Sequence, residues 1–152
     1  MTIKMPDNAK VIDVDMGESA SVSDKDTYLF TCRLRTCTAV AVSVKDKTGG
    51  VHKFLAHTDM GENIGTIDEL QSDLQKFISG IDEIKNVNVV LVSSESFHKK
   101  CSAYRLVNQE QKLVLAIKTV FEPFKQKKVC FKSSTVAQIR PTGEIVTPKI
   151  KD

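Results

Sequence analysis

Apolar and polar residues alternate along residues 9–15 (AKVIDVD), the period of a half-buried strand. Tyr28 to Thr31 read as a short strand, Thr38 to Lys45 as a longer one rich in Val and Ala, and residues 51–58 (VHKFLAHT) as the next. Lys47-Thr48-Gly49-Gly50 between the last two is a turn with two glycines, so the two long strands form a hairpin. Residues 16–26 (MGESASVSDKD), rich in Ser, Asp and Gly, read as a loop, and so do residues 59–65 (DMGENIG).

The period then changes. Thr66 is placed as an N-cap, with Glu69 completing a capping box. Over residues 67–85, Ile67, Leu70, Leu74, Phe77, Ile78 and Ile81 fall on one stripe, which predicts an amphipathic helix. Residues 87–93 (VNVVLVS) form a near-continuous apolar run, the mark of a strand buried on both faces. Leu113, Ile117, Val120 and Phe121 recur at helical spacing and predict a second helix over about 107–121, stopped by Pro123. Residues 128–132 (KVCFK) read as a strand, and 134–147 as a closing hairpin turned by Pro141-Thr142-Gly143. No repeat, low-complexity tract or interdomain linker interrupts this order. The expectation is a loose tail at 1–8 and one α/β (α+β) domain over 9–152. It is a layered sandwich of about seven strands, in mixed or antiparallel sheet, with two main helices.

Composition narrows the function. A chain of 152 residues, 41% hydrophobic and 27% charged, is long enough to bury a core without disulfide staples. A net charge of +3 leaves room for an acidic protein partner but does not indicate nucleic acid. The basic run Lys125–Lys128 has no aromatic interleaving and reads as cations at a helix terminus. No apolar run approaches the roughly 20 residues a membrane helix needs. MTIKMPDNAK contains no apolar signal region, so the expected location is the cytoplasm, or a host cell reached without a classical signal peptide.

Cys32, Cys37, Cys101 and Cys130 show no CxxC or zinc spacing, so all four are expected reduced, and neither metal nor cofactor is expected. Cys101 and Cys130 read as structural. Cys37 differs because it sits where a loop meets a buried strand, a rigid base with backbone N–H groups nearby for an oxyanion. A cysteine attacks as thiolate and needs a neighbouring base. Counted from the turn, Cys37 and His57 lie at matching distances to within about two residues, so the hairpin would set sulfur beside imidazole.

TCRLRTCTAVAV followed by FLAHTDMG resembles the chemoreceptor glutamine deamidases of the CheD family. Thr31, six residues before Cys37, matches the family's catalytic threonine. Cys37, leading into Thr38-Ala39-Val40-Ala41-Val42, matches the nucleophile, and Ala56-His57 matches the base. The order of the later elements is also similar, with a helix at 66–85 and the KVCFK…GEIV hairpin at the end. Secreted deamidase toxins, including the cytotoxic necrotizing factors, use the same three residue types. The sequence departs from the family in its loop. The usual Gly-x-Gly-Ser-Cys is here Arg33-Leu34-Arg35-Thr36-Cys37, and the usual Gly-Gly after the third main strand is Ser93-Ser94. Two cations replace two glycines, which favours an acidic protein surface as substrate and makes Arg33 and Arg35 the expected substrate contacts.

The resemblance implies a cofactor-free deamidase. His57 deprotonates Cys37, the thiolate attacks a glutamine carboxamide of a partner protein, ammonia leaves, and water cleaves the thioester. Thr31 orients the imidazole through its hydroxyl or carbonyl; Asp59 is the alternative orienting group. The same dyad suits a transglutaminase or a cysteine peptidase, and a chain that has lost the loop glycines suits an inactive interaction module. Each residue also has a structural alternative: Cys37 as core, Thr31 as an ordinary strand residue, and Arg33 and Arg35 as solvated cations. His52 reads as solvated near the turn and His98 as a surface residue; alternation turns Cys32 away from the face of Thr31.

Overall fold

The structure is a computed structural model that describes residues 5–35, 37–59, 65–94 and 104–148; for Asp59, Gly65, Thr66 and 104–110 it describes the backbone alone. Among these residues the chain forms nine strands and two helices. The order is β1 (Lys10–Asp13), β2 (Ser19–Val22), β3 (Thr27–Thr31), β4 (Cys37–Asp46), β5 (Val51–Asp59), α1 (Gly65–Ser79), β6 (Ile84–Ser93), α2 (Tyr104–Phe121), β7 (Lys127–Ser133), β8 (Ala137–Ile139) and β9 (Ile145–Val146). The expected α+β layered architecture is present, with both sheets mixed in direction.

Central strand β4 explains the layering. It pairs antiparallel with β5 on one side and β6 on the other, inside a five-stranded sheet of order β2-β5-β4-β6-β7. Its side chains are buried on both faces, so its apolar residues divide by alternation. Val40, Val42 and Val44 pack with Phe54, Val87, Val89 and Leu91 against Leu70, Leu74, Leu113 and Ile117 of the two helices. Cys37, Ala39 and Ala41 pack with Leu55, Val90 and Val92 against Leu29, Ala137 and Ile139. Those last residues belong to a second sheet, of order β1-β3-β8-β9. The layers are thus two helices, the five-stranded sheet and the four-stranded sheet. Small residues at 39 and 41 let the two sheets approach, while the valines opposite fill the wider gap to the helices.

Four expectations about the elements need correction. Residues 16–26 are not all loop, because β2 runs through them and pairs with β5 from Ser19↔Ala56 to Val22↔Lys53. Its serines are exposed on the helix side of a sheet edge, where Ser19 Oγ donates to Asp73 of α1 at 3.0 Å, and pairing to β5, rather than apolar content, makes the strand. The first helix stops at Ser79, not near 85: Gly80 follows, and Ile81 continues into the core from the turn. Strand β1 is exposed along its length rather than half-buried, since it lies on the outer edge of the smaller sheet and reaches the core only through Val14. Helix α1 already includes Gly65, so Thr66 lies inside it and not at its N-cap; the side chains of Thr66, His98 and Cys101 are outside those described.

Polar contacts also join the sheets. Lys53 on β5 is fully buried, and its Nζ donates to the carbonyl of Thr27 on β3 at 2.7 Å. Burial lowers its pKa, opposed by the charges of Asp24 and Asp26. Past α2, Lys127 Nζ donates to the carbonyl of Phe121 at 2.9 Å, so a lysine of the basic run caps the helix, as the dipole favours.

The hairpin turn is built on one carboxylate. Asp46 Oδ1 accepts from Thr48 N at 2.9 Å, Thr48 Oγ1 at 2.6 Å and Gly50 N at 2.8 Å. Gly49 adopts a left-handed φ of 88°, and a Cβ at Gly50 would collide with the Asp46 carboxylate. The Thr48 hydroxyl first, then His52, hold the Asp46 pKa far below its ordinary 3.8. A depressed folded pKa contributes stability that is present above 3.8 and lost as pH falls through the folded value. Asp46→Asn is therefore expected to lower the melting temperature at pH 7 and to flatten its fall below pH 4, measured by thermal denaturation monitored by circular dichroism.

Candidate active site

The site forms where the N-terminal end of β4 meets the C-terminal end of β5. Cys37 faces Asp59 across the ladder, and His57 faces Ala39. Directly opposed residues share a face, and alternate residues on a strand share a face. Cys37, Ala39 and His57 therefore all point into the layer between the sheets, with Cys37 and His57 diagonal neighbours on adjacent strands. The sequence count set them level; the register offsets them by two residues, which keeps them on one face.

Thr31 comes from the other sheet. It ends β3, and its Oγ1 lies 2.7 Å from His57 Nδ1 and 2.7 Å from the carbonyl of Val14. A hydroxyl has one proton, and a carbonyl can only accept. Thr31 thus donates to Val14 and accepts from the Nδ1–H of His57. This proton count leaves the lone pair of neutral His57 on Nε2, the arrangement a general base requires. The hydroxyl of Thr31 lies on Nδ1 of the ring, and the backbone of Asp59 stands opposite Cys37 in the ladder; the Asp59 side chain is outside the described residues.

The backbone of His57 is held as firmly as its ring. Its N–H donates to Glu18 O at 3.0 Å, and its carbonyl accepts from Gly17 N at 2.7 Å. Gly17 takes a φ of 85° in a turn closed by Glu18 N to Asp15 O at 3.0 Å. Val14, Gly17 and Glu18 were not expected to support the site. The glycine in MGES was the one visible signal, because a left-handed residue is what this turn needs.

The segment before Cys37 is held by an apolar anchor and hydrogen bonds. Arg33 adopts a left-handed φ of 60°, which glycine takes without cost and arginine does not. Arg35 N donates to Arg33 O at 2.9 Å, closing a tight three-residue turn. Leu34 is fully buried between the sheets, and its N–H donates to Thr135 O at 3.1 Å. Ser94 Oγ donates to Arg35 O at 2.9 Å. An apolar anchor and three hydrogen bonds thus impose the conformation, with both guanidinium-bearing residues, Arg33 and Arg35, left exposed. At the same end of β4, Thr38 and Ser93 share a hydrogen bond of 2.8 Å, and Thr58 Oγ1 donates to Thr38 O at 2.6 Å.

The three residues are nearly closed to solvent: Cys37 is 3% exposed, His57 4% and Thr31 1%. A small cleft lies beside His57, between Gly17–Ser19, Ala56–Thr58 and Glu69, Leu70 and Asp73 of α1. Cys32, Cys37 and Cys130 are thiols rather than half-cystines. Cys32 is half-buried just beyond β3, and Cys130 packs at the margin of the inter-sheet core. His52 is not solvated as expected; it is held between Asp46 and Ser23. Among the described residues no cluster of His, Cys, Asp and Glu could hold a metal ion, and no helix is long and apolar enough to cross a membrane. No family model matches the chain, and no curated protein matches it.

Two outcomes follow from these contacts. Thr31→Val removes a hydroxyl that serves two buried groups without changing the side chain's shape, so it should cost about 2–4 kcal/mol in urea denaturation, with Thr31→Ser retaining most of it. Arg33→Gly should be more stable than Arg33→Ala by up to about 1 kcal/mol, because both lose the charge and only glycine relieves the left-handed φ.

Proposed function

We propose that this chain is a cysteine-dependent protein glutamine deamidase, a hydrolase of carboxamide C–N bonds that converts a partner's glutamine to glutamate. The resemblance to deamidase toxins extends the reading to a bacterial effector. The observation that carries it is the Thr31–His57 contact at 2.7 Å, with Thr31 itself fixed by Val14. That contact directs the basic nitrogen of an imidazole away from the threonine, on the face that also carries Cys37. A thiol, a base and a base-orienting hydroxyl are the parts that nucleophilic acyl transfer needs.

The chemistry then runs as follows. His57 takes the Cys37 proton, and sulfur attacks the carboxamide carbon. The imidazolium returns its proton to the departing ammonia, and His57 activates the water that splits the thioester. Thr31 holds the ring through both proton transfers. Arg33 and Arg35, exposed next to the nucleophile, suit an acidic surface on the substrate. Because the thiol is 3% exposed, a glutamine reaches it only when the chain covering it opens. The same burial favours a second reading, an interaction module in which Cys37 is core.

The deciding test is incubation with denatured casein, following ammonia release and peptide mass. Deamidation adds about 1 Da per converted glutamine, transglutamination adds the mass of a supplied amine, and peptidase action cuts the chain. The expected outcome is ammonia release with the small mass increase. It should be lost in Cys37→Ala and His57→Ala and lowered in Thr31→Val, all checked for fold by circular dichroism. Equal ammonia release by wild type and Cys37→Ala would rule the thiol out.

A further inference from the structure

At the opposite end of the β4–β5 hairpin, roughly 30 Å from Cys37 by strand length, lies a second chain of hydrogen-bonded side chains. Ser23 Oγ is 2.8 Å from His52 Nδ1, and His52 Nε2 is 2.9 Å from Asp46 Oδ2. The sheet builds this row. Strands β2, β5 and β4 are adjacent, and Val22 pairs with Lys53, which sets Ser23 beside His52. His52 pairs with Val44, so Asp46, two residues further on, is its diagonal neighbour on the same face.

The proton positions follow from the partners. Asp46 Oδ1 is occupied by the three donors of the turn, leaving Oδ2 for the ring. The carboxyl is ionised well below its ordinary pKa, so it only accepts, and the ring proton of neutral His52 sits on Nε2. Nδ1 then accepts the proton of the Ser23 hydroxyl. Ser23 is exposed, while His52 and Asp46 have side chains only 15% exposed. An accessible hydroxyl, a base bonded to it and a carboxylate fixing that base are the three roles of a serine nucleophile, here with the two ring nitrogens exchanged relative to the usual triad.

We propose that Ser23 is a second nucleophile of this protein, activated by His52 and Asp46, which transfers acyl groups from small carboxylic esters to water. In the first step the Ser23 Oγ–C bond forms while its proton passes to His52 Nδ1. The C–O bond to the leaving alcohol breaks, and that alcohol carries the proton away. In the second step His52 takes a proton from water, the hydroxide oxygen bonds the acyl carbon, and Ser23 recovers its proton as the acid departs. The exposed position suits small esters with good leaving groups. This site is independent of the deamidase reading and shares no residue with it.

The test uses p-nitrophenyl acetate with the full chain carrying Cys37→Ala, so that this thiol contributes nothing. Release of p-nitrophenolate should fall at least about ten-fold on adding Ser23→Ala, and as much on adding His52→Gln, which removes the base but keeps a partner for Asp46. Ser23→Ala separates attack by the hydroxyl from attack by the imidazole itself. Acid-quenched samples should carry an acetyl group on the peptide containing Ser23. A smaller fall in the Ser23→Ala variant, with melting temperature unchanged, overturns the proposal.

Discussion

Among the described residues two hydrogen bonds, Lys53 to Thr27 and Thr31 with His57, cross a largely apolar layer, and the arrangement of this molecule depends on them. Strands β3 and β5 belong to different sheets and stack across the interface. At one end Lys53 donates to Thr27, in the middle Leu29 and Leu55 are fully buried, and at the other end Thr31 meets His57. Apolar packing is tolerant of small slides between sheets, whereas a hydrogen bond at 2.7 Å is not. In a low-dielectric layer an unmade bond leaves a buried donor or acceptor exposed to the full desolvation cost. The pair of contacts therefore fixes how the two sheets are aligned, and with it which side chains meet at the end of β4.

That alignment places the proposed catalytic residues in the interior rather than on a rim. In the proposed reaction, burial strengthens the electrostatic coupling between thiol and imidazole and keeps the oriented ring from rearranging. It also makes access the controlling variable. The segment leading into Cys37 is held by Leu34 in the core and by hydrogen bonds from Ser94 and to Thr135, with Arg33 kept in a conformation that arginine disfavours. A strained turn that presents two exposed cations beside a closed thiol is what the proposed acidic substrate surface would meet.

One hairpin carries both candidate sites because of the parity of its residues. His52 and His57 are five apart on β5, so they project from opposite faces. His57 enters the layer between the sheets and meets a threonine from the second sheet. His52 lies at the other end, on the face that carries Val44, and meets a carboxylate from its own turn and the serine that follows the edge strand. The same residue type thus meets a buried hydroxyl in one place and an exposed one in the other.

The amino-acid sequence by itself determined the elements whose own residues supply the pattern. The valine runs of β4 and β6, the stripes of both helices, the glycine turn at 49–50 and the pairing of β4 with β5 were all legible, because period and turn chemistry are local. Cys37 and His57 could be singled out, since residue type and hairpin counting need no third dimension, whereas Thr31 is picked out by the family resemblance alone. Tertiary structure alone decided the rest. Strand β2 exists because β5 offers it a ladder, and no property of MGESASVSDKD demands it. The two-residue offset between Cys37 and His57 is set by register, which counting resolves only to about that error. Val14, Glu18 and Ser94 hold the site through backbone groups or a small hydroxyl, which every residue or many residues could supply. His52 reads as solvated until Ser23 and Asp46 are brought to it, and nothing in the pattern marks Lys53 as the buried donor to Thr27. Long-range hydrogen bonds leave no trace in composition or period, because their specificity lies in relative position and not in residue type.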